Sequence, residues 1–398
     1  MSAAQSQTTL RSKLEALECH FTWVSDTSKI PLLRLRDKLV DIGTEEGNSW
    51  LGHIYNLRGF IQCKLGSTED ALSFFLQAAE AFGQMRRAGE GPWLVVNYGN
   101  LAWLHHLLGD QAESEAYLSK VDALKKKYPT PSEDELHAEL YAEKAWTLMN
   151  FGTKRELVSD YFQKAIKMQP DMVEWNTSHV IGLASAFKQS SPGLEADIFD
   201  QMRDAKKQDP ENLYLAGFDL QLRAKKGEDV KNEAPTAVEN HPDERYLKRC
   251  AALTLKWKIV FFSDGGVDER MVDRAVILHK EGISLYPDSA FAKEMDLADM
   301  YAKSNRRQAE AKRLYGELLE RELEPADKQV LYNHYAKYLV FDLKDYNKSI
   351  EYHMKAAAIP IKSFHRENSI KVLEKIKNKG RSRKCREIEV CLKNLQEP

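Results

Sequence analysis

One stretch of the chain, residues 57–79, has the pattern of a complete helix–turn–helix unit. Gly59 lets a partner helix approach closely, and Gly66 ends the first helix because glycine accepts left-handed dihedral angles. The second helix carries a small–aromatic–small pattern at steps of four and three, which falls on one face: Ala71, Phe75 and Ala78. The stretch therefore predicts two antiparallel helices that nest along this face.

The same pattern recurs along the chain. Residues 95–121 and 142–170 repeat it, and further copies are weaker. Several repeats end at a proline: Pro170, Pro210, Pro242 and Pro287. A small–aromatic–small face in a unit of about 34 residues is typical of the tetratricopeptide repeat. Because one repeat cannot bury its apolar face alone, we predict an all-α tetratricopeptide-repeat superhelix, an α-solenoid of antiparallel helix pairs.

The repeats divide the chain into four predicted segments. These are N-terminal capping helices at 1–49, N-terminal and central repeats at 50–242, C-terminal repeats at 243–360 and a basic C-terminal helical region at 361–398. The first segment predicts an amphipathic helix over 9–23 and a short helix over 31–42. Pro235 predicts that the helix around it is short or broken.

Composition and motifs exclude several functions. The net charge of −2 argues against a surface that binds polyanions everywhere, although a basic groove remains possible. No apolar run approaches the roughly 20 residues that cross a bilayer, and the polar start lacks a signal-peptide core, so we expect a cytoplasmic protein without a membrane partner. The five scattered cysteines indicate reduced thiols. No catalytic or metal-ligand pattern is present, so we predict neither an enzyme nor a cofactor.

Binding is the remaining class of function, and two readings stay open. Lysine and arginine alternate with aromatic residues in several helices, as in single-stranded nucleic-acid sites where cations hold phosphates and rings stack on bases. The pairs are Tyr246 with Arg249, Trp257 with Lys256, and Tyr335 with Lys337. The alternative is a helical scaffold whose aromatic residues belong to the core.

Several sequence blocks resemble the interferon-induced proteins with tetratricopeptide repeats. The blocks are CHFTW at 19–23, YNLRGFIQCKLG at 55–66, YGNLAW at 98–103, DLADMYA at 296–302 and LYNHYAKY at 331–338. The resemblance runs from residue 9 to about 395, in a chain shorter than the family pattern by about one central and one final repeat. It implies an intracellular antiviral protein that holds the 5′ end of single-stranded RNA, bearing a triphosphate or an incompletely methylated cap, in a basic tunnel.

The resemblance also assigns site residues by position. Lys38 stands where cap-binding members carry arginine, Ile42 where they carry glutamine, and Trp146 where a tryptophan stacks on the cap guanine. Asn150 replaces a lysine that binds phosphate. The remaining implied RNA contacts are Lys188 (or Ser185 without an insertion), Tyr246, Arg249, Lys371 and Lys375.

The resemblance implies other family members, or signalling and translation proteins, as further partners. A scaffold for interferon signalling without direct RNA binding is the alternative function. One known mode clamps an acidic C-terminal tail with lysines and asparagines of three repeats, and Asn100 and Lys144 meet only part of that pattern.

Overall fold

The structure is a computed structural model that describes most of the chain. It covers residues 3–25, 28–42, 50–84, 91–130, 132, 135–152, 155–185, 192–261, 266–380 and 382–395. Lys188 lies outside these ranges. No helix in the described ranges is long and apolar enough to span a membrane.

All regular structure in the described ranges is helical. The first twelve helices are α1 Ala3–Glu15, α2 His20–Trp23, α3 Lys29–Asp41, α4 Leu51–Leu65, α5 Thr68–Gln84, α6 Val95–Leu107, α7 Gln111–Lys127, α8 Ala138–Asn150, α9 Arg155–Met168, α10 Val173–Ser185, α11 Pro192–Gln208 and α12 Leu213–Lys226. The others are α13 Glu233–Asn240, α14 Arg245–Phe261, α15 Glu269–Leu285, α16 Phe291–Lys303, α17 Gln308–Glu320, α18 Pro325–Phe341, α19 Tyr346–Ala358, α20 Phe364–Lys379 and α21 Cys385–Asn394, with a 3-10 turn at Pro287–Ser289. The predicted all-α fold of helix pairs is confirmed.

The chain forms two compact units. The N-terminal unit comprises Met1–Leu222 and His241–Leu247, and the C-terminal unit comprises Arg223–Asn240 and Lys248–Pro398. Successive helices pack as pairs within each unit, for example α4 with α5 and α18 with α19. The four segments predicted from the repeats divide the chain differently and stay a prediction.

The seam of the first repeat is formed as predicted. The three residues of the pattern are fully buried: Ala71, Phe75 and Ala78. A Cβ atom on Gly59 would lie 2.7 Å from the Phe75 ring, so only glycine permits this close approach of α4 and α5. Gly66 has φ of 93° and ends α4 in the left-handed region.

The single helix predicted over 9–23 is wrong, because the structure has α1 and α2 with a break between them. Cys19 is extended, with φ of −158° and ψ of 174°. The Thr22 hydroxyl donates to the Leu17 carbonyl at 2.6 Å and to the Cys19 carbonyl at 2.9 Å. The backbone N–H of His20 donates to Asn100 of α6 at 3.1 Å. These contacts satisfy backbone groups that a continuous helix would have paired internally.

Two other local predictions are confirmed. The short helix expected over 31–42 is α3, which ends at Asp41. The helix that contains Pro235 has only eight residues, Glu233–Asn240, with the proline in its first turn, where no intrahelical donor is needed.

Candidate RNA-binding site

A cavity of about 320 Å³ lies within the N-terminal unit. It is formed by side chains from the end of α3, the start of α4, α8, α10, the loop before α12 and the segment that leads into α14. Its lining residues are Ile42, Trp50, Trp146, Thr177, Ser178, Asp209, Glu211, Asn212, Leu213, Tyr214, Glu244, Tyr246 and Leu247. Two residues assigned by the resemblance to RNA, Trp146 and Tyr246, thus share one cavity.

Aromatic rings make up much of the wall. Trp146 is stacked on Trp50, with ring centroids 5.3 Å apart and an interplanar angle of 13°. Tyr214 contacts Tyr246, with centroids 4.4 Å apart and an angle of 52°. Rings of this kind provide flat apolar surfaces on which a base can stack.

Lys38 is the cation beside this cavity. Its Nζ donates to Oδ1 of Asn150 at 2.8 Å and lies 5.8 Å from the centroid of the Tyr214 ring. Asn150 in turn donates from Nδ2 to the Trp146 carbonyl at 2.9 Å. Asn150, at the position where the family pattern has a lysine, therefore holds Lys38 next to the aromatic wall.

Hydrogen-bond acceptors dominate the polar part of the cavity. Three carboxylates line it: Asp209, Glu211 and Glu244. Asp209 is fixed by a 2.8 Å hydrogen bond from Asn212 Nδ2. The Thr177 hydroxyl is buried in the wall and has no hydrogen-bond partner among the residues that the structure describes. Carboxylates repel phosphates but accept from the N–H groups of a base, so this cavity favours a base over a triphosphate.

A second polar group of the N-terminal unit is sealed in the core. Its buried members are His20, His53, Asn56, Asn97, Asn100 and Glu143. Asn56 donates to Glu143 at 2.9 Å, and Asn97 donates to Asn56 at 2.8 Å. The Asn100 amide is bonded to the His20 ring at 2.9 Å and accepts from its backbone. Asn100 is therefore occupied internally and does not offer its amide to an acidic tail, as the clamp pattern requires.

Two of the predicted RNA contacts in the C-terminal unit, Lys256 and Lys337, lie close to acidic side chains. Lys256 of α14 forms an ion pair with Asp296 of α16. Burial opposes its charged form, but the carboxylates of Asp296 and Asp299 outweigh it and raise the pKa of Lys256. Burial lowers the pKa of Lys337 of α18, which also senses Asp299, and its Nζ lies 5.9 Å from the Phe364 ring. Lys256 is thus ion-paired, whereas Lys337 has no ion-pair partner within the described residues.

Tyr335 belongs to an aromatic cluster of the same unit. Its ring lies 5.4 Å from Tyr315 and 4.7 Å from Tyr352, and it packs against the core. Burial raises the pKa of its hydroxyl group. These contacts match the alternative reading of the sequence, in which the aromatic residue is part of the core, and its contact with RNA stays a prediction.

The other predicted RNA contacts that the structure describes are Arg249, Lys371 and Lys375. Arg249 lies on α14 in the C-terminal unit. Lys371 and Lys375 are exposed, one turn apart on α20, and make no ion pair in the described part of the chain. The structure therefore brings together Lys38, Trp146 and Tyr246, while the remaining predicted contacts that it describes belong to the C-terminal unit.

Sequence reasoning missed several lining residues of the cavity. Trp50 and Tyr214 are isolated aromatics with no motif around them, and the three carboxylates come from two separate loops. The sequence marked Asp209 only as the residue before the helix-stopping Pro210. No spacing rule links these positions, because they meet only through the packing of successive repeats.

Comparison with known proteins agrees with this fold. A family model described as tetratricopeptide repeat matches residues 50–127. Human "Protein IFIT1 homolog B" is 25% identical over 92% of this chain and 88% of its own length. Human "Antiviral innate immune response effector IFIT1" is 22% identical over 96% of this chain and 90% of its own length.

Solved structures show that the fold is similar to that of human IFIT1. "Human IFIT1 dimer with m7Gppp-AAAA" superposes with a TM-score of 0.62 at 20% identity, covering 97% of both chains. "Human IFIT1 dimer with PPP-AAAA" gives 0.60 at 21% identity, covering 97% of this chain and 94% of that one. The fold defines the chain as a tetratricopeptide-repeat protein. The resemblance seen in the sequence is also confirmed: the chain is similar to interferon-induced proteins with tetratricopeptide repeats at 22–25% identity.

Proposed function

We propose that this protein is a cytoplasmic antiviral innate-immune effector that binds the 5′ end of single-stranded RNA. It acts by binding and not by catalysis. The observation that carries the proposal is the cavity of the N-terminal unit, where aromatic walls and hydrogen-bond acceptors surround a space of about 320 Å³ beside Lys38. Two similar solved structures, of human IFIT1 with m7Gppp-AAAA and with PPP-AAAA, support it.

The charges around the cavity determine which RNA 5′ end we expect it to prefer. Lys38 supplies one cation, whereas Asp209, Glu211 and Glu244 place three carboxylates in the wall. Asn150 and Ile42 also lack the cation and the polar group that the family pattern offers to phosphate. A lost charge-assisted hydrogen bond weakens phosphate binding by roughly one to two decades. We therefore expect weak discrimination between triphosphate and hydroxyl ends, with base contacts contributing more.

Further cations are proposed as RNA contacts by position. These are Arg249, Lys337, Lys371 and Lys375 of the C-terminal unit, together with Lys188. Lys256 is a weaker candidate because its charge is already balanced by Asp296. Each phosphate contact contributes a slope of roughly −0.7 to the dependence of log affinity on log salt concentration.

The test is an electrophoretic shift titration with one RNA sequence that carries a triphosphate, a guanosine cap or a hydroxyl group at its 5′ end. We expect binding to all three, with a small triphosphate preference and a steep salt dependence. Trp146→Ala should weaken binding more than Ile42→Ala, since a stacked base contributes about 1–3 kcal/mol. Absence of binding to every RNA at low salt would overturn the proposal and favour the scaffold function.

A further inference from the structure

The stacking face of Trp146 is covered by another residue of the same chain. The indole of Trp50 lies nearly parallel to it, at 13°, with centroids 5.3 Å apart. This is the offset-stacked arrangement that two aromatic rings prefer. Trp146 is only 3% exposed as a result, although it lines the cavity. A base that enters to stack on this face of Trp146 therefore meets Trp50 first.

Trp50 is placed so that it can leave without breaking a helix. It lies at the N-cap of α4, and its carbonyl accepts the first hydrogen bond of that helix from Ile54 at 2.8 Å. Trp146, in contrast, lies inside α8. The edge of the Trp50 ring also contacts His53, at a centroid distance of 4.6 Å and an angle of 61°. Aromatic contacts with Trp146 and His53 thus place the Trp50 ring over Trp146.

We propose that Trp50 is a specificity-determining residue of this cavity. It occupies the place of a stacked base on Trp146, and a terminal base must displace it to bind there. An RNA with a 5′ hydroxyl group has no cap base to place on Trp146. Its affinity is therefore not reduced by the need to displace Trp50. The inference rests on the proposed function, since it concerns which RNA ends the cavity accepts.

The composition of the cavity supports competition between Trp50 and a base. Both present a flat ring to Trp146, but a base offers several hydrogen-bonding groups along its edge, whereas the Trp50 indole offers a single N–H donor. The Thr177 hydroxyl, which is buried in that wall and has no partner in the described part of the chain, is a further group that an entering base can pair with. Displacement of Trp50 thus exchanges one stacked ring for another and adds hydrogen bonds.

The test compares two labelled RNAs of the same sequence, one with an unmethylated guanosine cap and one with a 5′ hydroxyl group. Fluorescence anisotropy measures their affinities for the full chain and for Trp50→Ala, Trp50→Leu and Trp50→Phe. A stacked aromatic pair contributes about 0.5–1.5 kcal/mol, so removal of the ring should raise affinity for the capped RNA about two- to tenfold. Affinity for the hydroxyl-ended RNA should change less than about twofold.

Phe at position 50 keeps a ring and should stay close to the unmodified protein. Leu keeps apolar volume without a ring, so it decides the question if the Ala variant does not fold. Tyr346→Ala, which removes an exposed aromatic ring that does not line the cavity, is the control and should change neither affinity. A near-ultraviolet circular dichroism spectrum of each variant verifies that the fold is retained.

The possible failures are distinguishable. If the unmodified protein binds RNA but the Ala and Leu variants leave the ratio of the two affinities unchanged or shift it toward the hydroxyl end, the role of Trp50 is overturned and the proposed function stands. If neither the unmodified protein nor any variant binds either RNA, both are overturned.

Discussion

Glu143 is the group in the sealed core of the N-terminal unit whose ionisation should control stability near neutral pH. It is 2% exposed, and its Oε1 accepts a hydrogen bond from Asn56 at 2.9 Å. Burial raises its pKa from 4.5 to about 8, against the opposing effect of that hydrogen bond. His20 and His53, each 4.0 Å from a Glu143 oxygen, have their pKa lowered by burial from 6.5 to about 3. All three groups are therefore neutral in the folded state at pH 7.

These three pKa shifts determine how the free energy of unfolding should depend on pH. The stabilising contribution of Glu143, whose folded pKa is raised, is complete below pH 4.5 and is lost as pH rises through about 8. The contributions of the two histidines, whose folded pKa values are lowered, are complete above pH 6.5 and are lost as pH falls toward 3. Between pH 6.5 and 8 only Glu143 of this cluster acts. Its contribution to the free energy of unfolding should fall by roughly 1.4 kcal/mol per pH unit, or about 2 kcal/mol over this window.

Glu143→Gln tests this reasoning, because the amide keeps an acceptor for Asn56 and cannot ionise. Urea denaturation followed by tryptophan fluorescence reports mainly on the N-terminal unit, which holds six of the seven tryptophans. The stability of the Gln variant relative to that of the unmodified protein should increase by about 2 kcal/mol between pH 6.5 and pH 8. Glu143→Ala, which opens a cavity and leaves Asn56 unpaired, should be less stable at both pH values.

Equal pH slopes for the unmodified protein and the Gln variant between pH 6.5 and 8 would refute the assignment of a neutral Glu143. Equal slopes are expected if the carboxyl group is ionised in both the folded and the unfolded state over this pH range, because unfolding then releases no proton from Glu143. Subtraction of the two curves removes the contributions of all other titrating groups.

Three further predictions concern packing, an ion pair and specificity. Gly59→Ala should destabilise the N-terminal unit by about 1–3 kcal/mol, measured by urea denaturation, because its Cβ would lie 2.7 Å from the buried Phe75 ring. Lys256→Met should destabilise the C-terminal unit by about 3–5 kcal/mol by removing the ammonium group that pairs with Asp296, and the double variant with Asp296→Asn should recover most of that loss in thermal unfolding. Asn150→Lys should raise the affinity for triphosphate-ended RNA about tenfold over hydroxyl-ended RNA in shift titrations, and a hundredfold preference in the unmodified protein would contradict our assignment.

The sequence by itself determined the repeat architecture. The pattern of Gly59, Ala71, Phe75 and Ala78 is local, since each residue's role follows from its place in a helix and from the size of its side chain. A glycine such as Gly66 ends a helix through its own backbone preference, with no need of distant contacts. The short helix at Pro235 follows in the same way, because proline lacks the N–H group that a helix interior uses. Such features were therefore predicted correctly.

Only the tertiary structure decided the site. The break between α1 and α2 depends on Asn100, which is 80 residues away from His20 along the chain. Lys38 meets Asn150 across 112 residues, and the stack of Trp50 on Trp146 joins helices of different repeats. Helical periodicity tells which face of each helix is buried, but not which side chain of another repeat it meets. Those pairings depend on the angle and offset between successive repeats, and these are set by the packing of many side chains at once.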